Sequence, residues 1–120
     1  MGIDEESGAG VITDQVRPGQ TLRIHVRDPV AADQNLKTLL AAQQSELMLN
    51  NPRGALIFSC SARGSDLFGS QGHDIGLVHQ YLGNIPAAGF FCAGEIGPVY
   101  GKNFLHGVSS IVAIFYAGEA

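Results

Sequence analysis

The residues with the most chemistry to offer lie in a glycine-rich segment, residues 88–107, that joins two apolar runs. Its polar side chains supply a carboxylate, a phenol, an amine, an amide and an imidazole: Glu95, Tyr100, Lys102, Asn103 and His106. Long loops without regular structure are uncommon in compact domains, and ordered ones are often binding or lid elements. We therefore predict a long loop here that forms part of a small-molecule pocket.

Arg63, followed by Gly64, is a second candidate for ligand binding. Its planar guanidinium suits a carboxylate or a phosphate, and the glycine lets a ligand approach the backbone closely. Glu95 could receive the ammonium group of the same ligand, so the two side chains together suit a zwitterion. The alternative is an internal ion pair between Arg63 and Glu95, because a buried charge needs a partner whatever the function.

Cysteine chemistry is a further alternative. Cys60 ends an apolar run, and with His73 or His106 as base and Glu95 as orienting group it would form the nucleophilic triad of a hydrolase or transferase. Such a thiol is more often a packing residue, so we predict a protein that is not an enzyme. The spacing of cysteines and histidines predicts no metal site, and no glycine motif indicates a nucleotide, so no cofactor is expected.

The elements that must position these residues follow from periodicity and turn signals. Asp28 and Pro29 mark a helix start, with the carboxylate as N-cap and proline at the first helical position. The predicted order is ββαβαββ, an α+β (mixed α/β) fold of about five strands and two helices packed on a mixed sheet, with a terminal hairpin. The strands are 8–13, 21–27, 54–60, one centred on 90–91 and ending at 94, and 108–115; the helices are 28–49 and 75–82.

Strands joined through helical crossovers run parallel, and their carboxyl ends meet at one edge of the sheet. The loops after the predicted strands that end at residues 27, 60 and 94 should then face a single crevice. The predicted ligand-binding residues are Arg27, Cys60, Arg63, Gly64, Gly94, Glu95, Gly97, Asn103 and His106.

Composition narrows the class of protein. The 120 residues suffice for one domain, predicted over 8–117 between a disordered tail, 1–7, and a short tail, 118–120. The seven Lys and Arg residues are scattered along the chain and are outnumbered by eleven Asp and Glu residues, which argues against a nucleic-acid partner. No apolar stretch is long enough to span a membrane, and the acidic start is unlike a signal peptide, so a cytoplasmic protein is expected. Charged residues are only 15%, which predicts a surface partly covered by a partner subunit or further polypeptide.

Two spaced motifs make the chain similar to a known family. The run GALIFSCSARG at 54–64 and the run GFFCAGEIGP at 89–98 stand in the right order, with Arg27-Asp28 ahead of them and NFLHG at 103–107 behind. This pattern resembles the C-terminal domain of the FIST family, the F-box and intracellular signal transduction proteins, from about residue 8 to residue 116.

The resemblance implies an intracellular sensory domain that binds small ligands such as amino acids, and it brings no established catalytic residues. It also implies partners: a small-molecule ligand, and an N-terminal FIST domain or signalling modules, since members usually carry an N-terminal FIST domain that would precede this chain. A homo-oligomer is a further expected partner, whereas no membrane is. The remaining alternative is a protein-interaction module that uses a sheet edge or the apolar residues Ile96, Val99, Tyr100 and Phe104.

Overall fold

The structure, a computed structural model, describes residues 2–12, 15–24 and 26–117. The predictions for Thr13, for His25 and for the tail 118–120 lie outside these residues. The fold is α+β, as predicted, and has more strands than expected because two short hairpins flank the main sheet. The strands are β1 (Gly2–Ile3), β2 (Gly10–Val11), β3 (Pro52–Cys60), β4 (Ala87–Cys92), β5 (Glu95–Val99), β6 (Lys102–His106) and β7 (Ser110–Tyr116); the helices are α1 (Pro29–Ala42), α2 (Gln44–Leu49), α3 (Ser65–Phe68) and α4 (His73–Leu82), with a 3₁₀ turn at Ser61–Arg63.

The main sheet has the order β4-β3-β7. β3 and β4 are parallel, with Phe58 opposite Phe90, and α4 is the crossover between them. This confirms the predicted parallel pair. β7 lies antiparallel to β3, with Ile111 opposite Phe58, so the expected pairing of β7 with β4 is wrong. The intervening residues form a separate β5–β6 hairpin, after which the chain reaches the other side of β3.

The core lies on one face of this sheet. Ala55 and Ile57 of β3 are buried against α1 and α4, which contribute Leu36, Leu40, Leu77, Val78 and Leu82. Residues alternate between the two faces of a strand, and the other face is more open: Leu56 and Phe58 are half-buried and Phe90 is 65% exposed. The sheet therefore has one face covered by helices.

The first helix begins as predicted. Asp28 Oδ1 accepts a hydrogen bond from the Val30 N–H at 3.0 Å, and Pro29 takes the first helical position. The predicted single helix over 28–49 is interrupted at Gln43, whose N–H bonds to Leu40 O three residues back. That bond tightens the last turn and separates α1 from α2.

The N-terminal arm, residues 2–27, differs from the prediction. β1 pairs with β2, so part of the segment 1–7, predicted as a disordered tail, belongs to a small hairpin. Of the predicted strand 8–13, only the two residues of β2 form a strand. The predicted strand 21–27 is wrong: its described residues lie outside any strand, and Leu22, Ile24 and Val26 are exposed. Alternation produces a strand only where a neighbour supplies ladder hydrogen bonds, and the described residues of this stretch have none.

The predicted loop over residues 95–106 is also wrong, because this segment is the antiparallel hairpin β5–β6. Tyr100 and Gly101 form its two-residue turn, with φ of 50° and 78°. Positive φ at both positions is the geometry whose twist matches paired strands. Within the described residues, no helix is long and apolar enough to cross a lipid bilayer.

Candidate ligand-binding site

A buried ion pair lies at the carboxyl end of β3. Arg63 ends the 3₁₀ turn that follows β3, and Asp74 lies in the first turn of α4. The guanidinium binds the carboxylate through two parallel hydrogen bonds, Nε to Oδ2 at 2.8 Å and Nη2 to Oδ1 at 2.9 Å. Both side chains are less than one-tenth exposed. This forked geometry is the strongest form of an arginine–carboxylate contact.

Asp74 has further partners. Ser59 Oγ donates to Oδ2 at 2.8 Å, and His73 Nδ1 lies 3.0 Å from Oδ1. Burial alone would raise the pKa of Asp74, but the hydrogen bonds from Arg63, His73 and Ser59 outweigh it and lower the pKa to about 2. Asp74 is therefore a fully bonded carboxylate that stays ionised at neutral pH.

His73 connects this cluster to the first helix. Its Nε2 lies 3.0 Å from Asp33 Oδ1 on α1, while Nδ1 faces Asp74 on its own helix. The imidazole stacks on the Phe68 ring, with centroids 3.6 Å apart and planes 6° from parallel. A hydrogen bond from Lys37, helped by one from His73, lowers the pKa of Asp33. The imidazole thus ties the start of α4 to the first turns of α1.

A cleft of about 410 Å³ lies beside the ion pair. Ligand sites of this size are typically apolar with a few polar groups that fix orientation. The polar groups here are those of the cluster, at one end of the cleft. The lining residues are Ser59, Arg63, His73 and Asp74, with Ile57, Gly72, Ile75, Ala87, Ala88, Gly89, Phe90 and Phe91.

Gly89 forms part of the cleft wall and tolerates no side chain. A Cβ added there would lie 1.8 Å from the carbonyl oxygen of Ile57, which is its partner across the β3–β4 pair. Backbone cannot move aside for such a contact, so this stretch of wall is made of main chain.

The structure separates the predicted site residues. Arg63 lines the cleft and Gly64 follows it, but Arg63 bonds to Asp74 rather than to Glu95. Arg27 is exposed on the N-terminal arm, one residue before the cap of α1. The other predicted residues lie outside the cleft lining: Cys60 at the end of β3, and Gly94, Glu95, Gly97, Asn103 and His106 on or next to the β5–β6 hairpin.

Glu95 is a second buried carboxylate, 5% exposed, at the start of β5. Ser109 Oγ donates to its Oε2, whereas Oε1 is buried with no hydrogen-bond partner among the described residues. His106 stands opposite Glu95 in the hairpin, but its Nε2 lies 3.0 Å from Gly97 O. Glu95 is therefore only half satisfied.

The cysteine triad is not assembled in the described part of the chain. Cys60 is a buried free thiol, and neither candidate histidine is hydrogen-bonded to it. His73 has both ring nitrogens directed at carboxylates. In the same part of the chain, no cluster of three His, Cys, Asp or Glu side chains is placed to hold a metal ion.

The central carboxylate of the site, Asp74, was not among the predicted site residues. The helix was predicted to begin at Ile75, whereas in the structure Gly72 is the N-cap, His73 and Asp74 lie in the first turn, and the Asp74 side chain turns toward Arg63. The sequence did contain a signal for Asp74, because it is an acid in the first turn of a helix that follows a buried strand and a loop with an arginine. Such an acid is the nearest counter-charge that the crossover can supply.

Comparisons with known proteins assign the chain to a family. The model of the FIST C domain matches residues 1–98, and the chain belongs to this family, which confirms the resemblance. Membership is consistent with a sensory domain of signal transduction.

The relatives that match this chain are longer than it is. An uncharacterised protein of Mycobacterium tuberculosis strain H37Rv is 44% identical over 115 residues, which cover 96% of this chain and 30% of the relative. An uncharacterised protein of Mycobacterium bovis is 40% identical over the same length, with the same coverage. The chain therefore spans about a third of the length of these relatives. No solved structure matches it.

Proposed function

We propose that this domain is the ligand-sensing part of a signal transduction protein, and that the cleft beside Arg63 and Asp74 binds a small metabolite. The observation that carries the proposal is the combination of a 410 Å³ apolar cleft with a buried, hydrogen-bonded polar cluster at one end. Such a cleft holds an apolar body and fixes one polar end.

The chemistry of the lining selects the ligand class. A guanidinium has five N–H donors, and three of those on Arg63 bond to Asp74 and to Val108 O, so two remain for a ligand carboxylate. β4 is an edge strand among the described residues, and its outer carbonyl groups, beside the cleft, are acceptors for an ammonium group. An amino acid with an apolar side chain would match all three features: its carboxylate the N–H groups of Arg63, its ammonium group the β4 carbonyl groups, and its side chain the apolar walls.

The signal would pass through His73. A ligand on Arg63 would lie close to the His73 imidazole, which bonds to Asp33 of α1. Binding would therefore change the contact between α4 and α1. A ligand shifts such an equilibrium only by its difference in affinity for the two states.

The test is a calorimetric titration of this chain with single amino acids. We expect at least one apolar amino acid to bind, and Ile75→Trp, which enlarges a side chain of the cleft wall outside the ion pair, to weaken binding tenfold or more. Ala41→Trp, on an exposed position of α1, is the matched control and should leave affinity unchanged. No heat with any amino acid, or equal affinity in both variants, would refute the proposal.

The proposal is non-enzymatic, and Cys60 provides its separate test. This thiol is buried, and none of the histidines that the structure describes is bonded to it, which is the environment of an inert cysteine. Iodoacetamide at neutral pH should label Cys60 only after unfolding. Rapid labelling of the folded chain would favour the hydrolase or transferase alternative.

The interaction-module alternative draws on the β5–β6 hairpin. Ile96 and Leu105 are 71% and 76% exposed there, and Phe104 is half exposed. Apolar side chains grouped in this way are typical of a contact surface. If the hairpin contacts another protein, Ile96→Asp should abolish that contact and leave amino acid binding intact.

A further inference from the structure

An apolar groove lies between α1 and β7, on the same helix-covered face of the sheet as the ligand cleft but at the opposite edge. It has a volume of about 360 Å³, and Leu39 in its wall is 58% exposed. Its apolar walls are Leu36, Leu39 and Leu40 of α1 with Val112, Ile114 and Tyr116 of β7.

The groove runs beside an open sheet edge. β7 is the last strand in the order β4-β3-β7, so within the described residues its outer N–H and C=O groups have no strand partner. An open edge next to an apolar groove accepts an added strand, since the backbone bonds to the edge while alternate side chains enter the groove.

The N-terminal arm carries such a strand sequence. Leu22, Ile24 and Val26 alternate with polar residues, and each is at least two-thirds exposed. Side chains two residues apart share one face of a strand, so these three form one apolar stripe.

Crossover geometry places the added strand at this edge. α1 and α4 cover the same face of the sheet, and the path β3–α4–β4 moves from β3 toward β4. Right-handed crossovers on one face move in the same direction, so a strand that leads through α1 into β3 lies on the side of β3 away from β4. That position is beyond β7, along the groove.

The arm does not lie in the groove of its own chain. The radius of gyration is 17.8 Å, whereas a compact chain of this length has about 14 Å. The longest dimension is 63 Å, and of the described arm residues all but Ile12 are exposed. An extended arm together with an open groove is the arrangement that identical chains use to exchange a segment.

We propose that two copies of this chain exchange arms. The segment of one copy that carries Leu22, Ile24 and Val26 adds to β7 of the other as a fourth strand, and its apolar stripe fills the groove between α1 and β7. The exchange is reciprocal, so the dimer is closed and two-fold symmetric.

Sedimentation of the intact chain tests the exchange. The wild type should be a dimer at micromolar concentrations, and Ile24→Asp on the arm should weaken dimerisation at least tenfold. Leu39→Asp, in the groove wall, should do the same. Ile3→Asp is the matched control, because Ile3 is as exposed as Ile24 and lies on the same arm outside the apolar stripe.

Two results would overturn the proposal. One is a wild type that stays monomeric at 100 μM, including a monomer whose arm amides are protected from hydrogen exchange, which would mean that the arm folds onto its own chain. The other is a dimer whose dissociation constant neither Ile24→Asp nor Leu39→Asp changes. Circular dichroism establishes that each variant is folded before its mass is compared.

Discussion

Two buried carboxylates in this domain differ in how completely they are hydrogen-bonded. Asp74 receives hydrogen bonds from Arg63, Ser59 and His73, so both of its oxygens are satisfied. Glu95 is equally buried, yet Ser109 bonds to one of its oxygens and the other has no partner in the described part of the chain. Burial of a charge costs free energy unless partners compensate it, so these two sites should contribute to stability with opposite sign.

This contrast between the two carboxylates indicates which part of the fold is held most firmly. Asp74 lies where β3, α4 and, through His73, α1 converge, so its bonds hold the sheet and its helices together. Glu95 lies at the base of a two-stranded hairpin with many exposed side chains, and such a hairpin has little stability of its own. We interpret the Arg63–Asp74 cluster as the structural centre and the β5–β6 hairpin as a weakly held attachment.

The largest expected effect comes from removing the cation. Arg63→Met leaves Asp74 buried without its counter-charge and should lower the free energy of unfolding by about 3–5 kcal/mol in urea at pH 7. Adding Asp74→Leu in the same chain should restore most of the loss. Arg53→Met, at an exposed position of β3, is the control and should change stability by less than about 0.5 kcal/mol. A loss below about 1 kcal/mol for Arg63→Met would show that the pair is not the anchor.

Acid should weaken the same cluster to a smaller extent. The pKa of Asp74 is about 2 in the folded chain, against 3.8 for an unperturbed aspartate, so the unfolded chain takes up a proton first as the pH falls. The contribution is complete above about pH 5 and is lost as the pH falls toward 2. Allowing for solvent screening, it is about 1–2 kcal/mol.

Denaturant titrations between pH 5 and pH 2 measure this contribution. Asp74→Asn should remove that part of the pH dependence, whereas Asp66→Asn, at an exposed position, should retain it. Equal acid sensitivity in the wild type and in Asp74→Asn would contradict the assignment.

The smallest expected effect has the opposite sign. Glu95→Gln removes a buried charge, keeps an oxygen for Ser109 and should raise the free energy of unfolding by about 1 kcal/mol. Glu5→Gln, at an exposed position, should be neutral. Destabilisation by Glu95→Gln of more than about 1 kcal/mol would show that the carboxylate has a partner, and the contrast with Asp74 would disappear.

The sequence predicted the parts of the fold that local chemistry determines. Signals within a few residues predicted the Asp28 cap followed by Pro29 and the buried strand that ends at Cys60. The strand–helix–strand order predicted the parallel crossover into β4. The β5–β6 hairpin was predicted as a loop because its glycines suggested irregular backbone. Its turn is instead formed by Tyr100 and Gly101 with positive φ, a geometry that is weakly marked when a tyrosine precedes the glycine.

The site was predicted only in part, because it depends on which side chains pair with each other across different elements of the fold. Arg63 was identified as a charged group near the carboxyl end of a strand, which follows from topology alone. Its partner could have been Glu95 or Asp74, since both are acids that the fold brings toward the same strand end. Only the three-dimensional path of α4 settles the choice, because it brings the first turn of that helix against the guanidinium.

Gly89 limits how the selectivity proposed for this cleft could be changed in this chain. Because the oxygen of Ile57 leaves no room for a Cβ there, substitution cannot reshape that portion of the cleft wall. New selectivity must arise at neighbouring positions that carry side chains, such as Ile75 and Phe91. A library that varies those two positions while glycine is kept would explore the ligand range that this scaffold permits.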